Sequence, residues 1–68
     1  MRYSLFAVYP NCAERIFKSD SLDVLQNDNS FTRGSKVIYD HELKTALAKR
    51  GRLWVEVAIN DFIEELVS

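Results

Sequence analysis

His41, the only histidine in the chain, stands between Asp40 and Glu42, and the only cysteine is Cys12. An imidazole beside carboxylates is the material of general acid/base catalysis or of a metal site, and a thiol with an imidazole base makes a nucleophilic pair. The spacing argues against each. Successive helical residues diverge by about 100 degrees, so Asp40, His41 and Glu42 do not converge on one proton or ion. Cys12 falls in or beside a turn with nothing to orient His41 toward it, and one cysteine with one histidine falls short of the four ligands of a structural zinc site. Asp28, Ser30 and Thr32 alternate like the first ligands of a calcium loop. Arg33, however, occupies the place of that loop's glycine, and Tyr39 the place of its bidentate glutamate. The expectation is a protein without catalytic residues, metal or cofactor.

The elements that would position these groups are short. Residues 2–9 are aromatic and branched, and they read as a strand stopped at Pro10-Asn11. Residues 14–18 suit an edge strand returning as a hairpin. Asp20 or Ser21 is placed to cap a short helix carrying Leu22 and Leu25 inward. Asn27 to Ser35 is turn-forming throughout, with Phe31 as its anchor into the core. Val37-Ile38-Tyr39 fits either a brief strand or the lead-in to a helix. Asp40 as N-cap, Leu43, Ala46 and Leu47 at helical spacing, and Lys49-Arg50-Gly51 as a stop predict a helix over 40–50. Arg52 to Asn60 alternates, which predicts a strand with Leu53, Val55, Val57 and Ile59 inward and Trp54 outward. Asn60 or Asp61 then caps a last amphipathic helix. The predicted architecture is α+β: one small domain over residues 1–68, with a mostly antiparallel three-stranded sheet, order β-β-α-α-β-α, and helices on one face.

Charge gives the clearest pattern for a binding surface. Lys44, Lys49, Arg50 and Arg52 are followed by Glu56, Asp61, Glu64 and Glu65, with a reversal of sign across Gly51. Trp54, read as outward between Arg52 and Glu56, has no folding role there unless something covers it, and Tyr3 and Tyr9 share one face of the first strand. Tryptophan, tyrosine and arginine are the types enriched at the energetic centres of interfaces. The expected partner surface is therefore Trp54, Tyr3 and Tyr9, with Lys49, Arg50 and Arg52 or the acidic Asp61, Glu64 and Glu65 setting electrostatic fit.

Residues 50–57 are similar in part to the basic-Gly-x-x-aromatic-Val strand of RNA-recognition sheets, whose aromatics stack on bases. The chain departs from that pattern at Val57, where the second aromatic belongs. Its element order differs as well, and Glu56 beside Trp54 would repel phosphate.

With 68 residues, 47% hydrophobic and 28% charged, the composition is that of a folded domain rather than a disordered chain. A net charge of −1 supplies no global attraction for phosphate. No apolar run reaches the roughly 20 residues of a membrane span. The stretch after Arg2 is too short for a signal peptide, and the lone cysteine suits a reducing cytoplasm. The expectation is a small regulator or inhibitor that binds another protein, of the kind phages and mobile elements carry. The alternatives are a small RNA or single-stranded DNA binder and a homo-oligomer subunit with its contact at Phe62 to Val67.

Overall fold

The computed structural model describes residues 1–68. Five strands and two short helices follow in the order β1 (Tyr3–Val8), β2 (Ala13–Ser19), α1 (Leu22–Gln26), β3 (Ser35–Asp40), β4 (Thr45–Arg50), β5 (Leu53–Val57) and α2 (Asp61–Val67). The strands make one antiparallel sheet in the order β2-β1-β3-β4-β5. The fold is therefore mostly β, not the three-stranded α+β domain predicted from the sequence. Its two helices lie on opposite faces rather than together on one.

The largest departure is at residues 40–50, where the predicted helix is instead a turn and a strand. Asp40 does cap backbone amides, accepting from Glu42 N at 2.9 Å and Leu43 N at 3.2 Å. Lys44 then takes a left-handed φ of 56°, which ends the turn after one circuit. Thr45 onward pairs with β3, Val37 opposite Ala48 and Tyr39 opposite Ala46. Alanine, leucine and lysine favour helix by intrinsic propensity, but an interior strand with Ala46 and Ala48 buried and Leu47 half-buried gains more from packing than propensity withholds. Val37-Ile38-Tyr39 is strand for the same reason. Gly51 does adopt positive φ, at 65°, but as the first residue of a two-residue hairpin connection, where mirror-image turns favour glycine, not as a helix stop.

Residues directly opposite in an antiparallel pair share a face, so the register sorts the core into two layers. Phe6, Val37, Tyr39, Ala46 and Ala48 face one way and are covered by α2 through Ile63, with Ile59 and Val67 beside it. Small alanines on β4 leave room for that helix. Leu5 and Ile38 face the other way under Leu25 of α1, flanked by Ile16, Leu22, Leu47 and Trp54. The connection from β2 to β3 has to step over β1, and α1 is the part of it that covers Leu5 and Ile38.

At the start of α2 the Asn60 side chain accepts from Phe62 N at 2.8 Å. Ser21 precedes α1 without a side-chain cap, and Asp20 accepts from Arg2 N instead. Phe31, predicted to anchor its loop in the core, is 89% exposed. The loop is held by polar contacts: Lys36 Nζ donates to Asp28 O at 2.9 Å, and the Tyr9 and Thr32 hydroxyls meet at 3.0 Å. No helix is long and apolar enough to cross a membrane.

Candidate interaction surface

Chemistry-bearing groups gather at the end of the sheet where β1 begins and β3 ends. Ser4 Oγ lies 2.8 Å from His41 Nε2, and His41 meets the Tyr39 ring edge-on at 4.8 Å between centroids. Burial holds the imidazole below its ordinary range, helped by Arg15, the N-terminal amine and Lys18 and opposed by Asp40. A hydroxyl against an imidazole is half of a nucleophilic triad. Here Ser4 is fully buried, and no side chain hydrogen-bonds the other ring nitrogen. The pair is a structural tie between β1 and the β3–β4 turn.

Arg2 and Asp40 form a second tie through two bonds, Nε to Oδ1 at 3.1 Å and Nη2 to Oδ2 at 2.9 Å, with Glu42 3.4 Å from Nε. Hydrogen bonding from Arg2, stronger than the opposing effect of burial, holds the Asp40 carboxyl below its usual range. Neither tie was legible in the sequence, because its members lie 37 and 38 residues apart. Cys12 is exposed and sits beyond Val8, at the far end of β1 from His41. The thiol and imidazole are separated by about five strand residues, roughly 17 Å. Asp28 is occupied by Ser30 and Lys36, and no three His, Cys, Asp or Glu side chains converge.

The residues predicted for partner binding divide among several surfaces. Trp54, Lys49 and Arg52 come together around a cleft of about 360 Å³, joined by Gln26 and Asn27 from the end of α1. Trp54 faces Lys49 across the β4–β5 ladder. Its ring is not bare as predicted: it is half-buried against the Leu5, Leu25 and Ile38 cluster, because α1 covers part of that face. The apolar side chains left open on β5 are two that were predicted inward, Leu53 at 69% and Val55 at 39% exposure. On their face α2 lies nearest β2, at the other edge of the sheet.

Arg50 shares that second face, beside Val37, Ala48 and Val57. Tyr3 and Tyr9 lie near opposite ends of β1. Tyr3 stacks with Arg2 at 5.0 Å and borders a groove with Leu22, Leu43 and Leu47, whereas Tyr9 binds Thr32. Asp61, Glu64 and Glu65 are exposed on α2, on the other side of the sheet from Trp54. None of the ion pairs joins them to the cations of residues 44–52. The predicted contact at Phe62 to Val67 is largely used internally: Ile63 is fully buried, and Leu66 is the apolar side chain of α2 left exposed.

Sequence reading did not find that Phe31 and Arg33 are both exposed at the end of the sheet that carries the β4–β5 turn, with Lys49 and Gly51 lining the same hollow as Phe31. The chain matches no protein-family model, and comparison with curated proteins and with solved structures gives no significant similarity.

Proposed function

We propose that this protein is a non-enzymatic regulator or inhibitor that acts in the cytoplasm by binding another protein, through the surface centred on Trp54. The observation that carries this reading is the grouping of a half-exposed indole with Lys49 and Arg52 around one cleft. A tryptophan held on one side by its own core loses little side-chain freedom on binding, which is how rigid aromatic anchors contribute affinity. The two cations would orient a partner of acidic character and speed its encounter. Substitution tests it: Trp54→Ala should abolish partner binding and Trp54→Phe weaken it, while both variants keep the fold.

A second reading is favoured by a different observation. Arg33, Lys49, Arg50 and Arg52 lie with Phe31 and Trp54 at one end of the sheet, a mixture of cations and stacking surfaces that suits single-stranded nucleic acid. Glu56, on the Trp54 face, counts against it. A salt titration separates the two. Phosphate-driven binding falls steeply with salt, whereas a protein interface anchored on Trp54 responds weakly.

A further inference from the structure

The two edges of the sheet differ in how well they resist strand addition. β2 presents the charged side chains Glu14, Arg15 and Lys18 and carries an irregularity opposite Leu5 and Phe6, both devices that discourage pairing. β5 has neither. It contains no proline or lysine, its pairing with β4 is regular, and Leu53 and Val55 are exposed beside its free backbone edge.

We propose that the free edge of β5 pairs antiparallel with β5 of a second copy of this chain, about a two-fold axis at Trp54, joining two five-stranded sheets into one continuous sheet. The register follows from charge and burial. With the axis at Trp54, Arg52, the turn residue directly before β5, comes opposite the partner's Glu56 at the end of the paired segment, and Glu56 opposite the partner's Arg52, so both charges find an opposite partner on the indole face. On the other face Leu53 meets the partner's Val55, and the two exposed apolar side chains of β5 cover each other. Moving the axis to Val55 would place Arg52 opposite the partner's Ala58 and Trp54 opposite the partner's Glu56, losing both ion pairs. Opposite charges across a strand pair stabilise it and like charges destabilise it, so the Trp54 register is favoured. This pairing concerns the backbone edge of β5 and does not depend on the partner proposed above. It brings two indole surfaces side by side rather than covering them.

Sedimentation equilibrium of the full chain and three variants tests the proposal. The wild type should show a monomer–dimer equilibrium. Arg52→Glu alone and Glu56→Arg alone each place like charges opposite one another twice per dimer and should raise the dissociation constant about tenfold or more. The double variant Arg52→Glu/Glu56→Arg should recover wild-type association, which also excludes misfolding as the cause of the single effects. Leu53→Lys, at an exposed position, should give monomer. A wild type that stays monomeric at millimolar concentration overturns the pairing, as do single variants that associate as well as wild type. A double variant as weak as the singles overturns the register. Protection of β5 amides from exchange only on adding a different protein would assign the edge to that protein instead.

Discussion

Ser4 and His41 meet at 2.8 Å on the α2 side of the sheet, the hydroxyl fully buried and the imidazole edge-on to Tyr39. This contact fastens the first residue of the β3–β4 turn to β1, in surroundings that favour the uncharged ring. Burial, with Arg15, the N-terminal amine and Lys18, lowers the native pKa of His41 below its unfolded value. Between those two values the unfolded chain binds the proton and the native chain does not, so stability falls as pH drops from about 6.5 through the native value. As the only histidine, His41 gives one pair of imidazole C–H resonances, whose shared NMR titration midpoint is expected below 6.5. His41→Gln should remove the stability slope in that window.

Asp40 connects Arg2 to the turn amides of Glu42 and Leu43 and is almost fully buried. Asp40→Ala removes the charge partner and both caps and should cost about 2–3 kcal/mol. Asp40→Asn keeps an acceptor for the amides and should cost less. Because the native carboxyl pKa is lowered, the stabilisation is complete above the unfolded carboxylate range and is lost as pH falls below about 4. Acid titration of the wild type should therefore show a loss that is smaller in Asp40→Asn, the remainder coming from Asp28, whose carboxyl, despite burial, Ser30 and Lys36 also hold low.

Gly34 passes so close to the end of β1 that a Cβ there would lie 2.8 Å from Val8 O and 3.1 Å from Tyr9 Cε1. A backbone carbonyl does not yield as a flexible side chain would. Gly34→Ala should destabilise by about 1–3 kcal/mol and disturb the Tyr9–Thr32 contact, measured by denaturant midpoint. Gly51→Ala meets no atom but must hold φ near 65°, so its cost should be about 1 kcal/mol.

Trp54 contributes to folding as well as to the proposed surface, since part of its ring packs against Leu5, Leu25 and Ile38. Trp54→Ala should cost about 1–2 kcal/mol, less than a fully buried aromatic. Trp54→Phe should cost under about 1 kcal/mol. Thermal melts of both variants check this and give the temperature at which binding comparisons remain valid.

The β1–β2 hairpin, the turn at Pro10-Asn11, the Asn60 cap and the terminal helix were legible because each is fixed by local residue types. The middle of the chain was not. Asp40 caps amides and Gly51 adopts positive φ as their types imply, yet both signals serve turns of a sheet as well as ends of a helix. Ala46 and Ala48 are buried on one face and Leu47 is half-buried on the other, so an apolar run stands where a half-exposed strand would alternate with polar residues. The same two-sided cover explains Trp54: alternation on β5 suggested one wet face, but α1 shields part of that face and α2 leaves Leu53 and Val55 open. Of the residues proposed for partner binding, Trp54, Lys49 and Arg52 line one cleft, as their closeness along β4, its turn and β5 allows. Tyr3, Tyr9 and the α2 carboxylates lie elsewhere because long-range pairing sets their positions.

Affinity capture from nuclease-treated extract of the native host, at physiological salt, tests the Trp54 surface most directly when wild type is compared with Trp54→Ala and Lys49→Glu. The expected result is a protein held in stoichiometric amount by the wild type, rebound from purified components, and lost from both variants while their folds persist. A protein captured equally by Trp54→Ala, or capture of nothing but nuclease-sensitive material, would contradict the proposed surface.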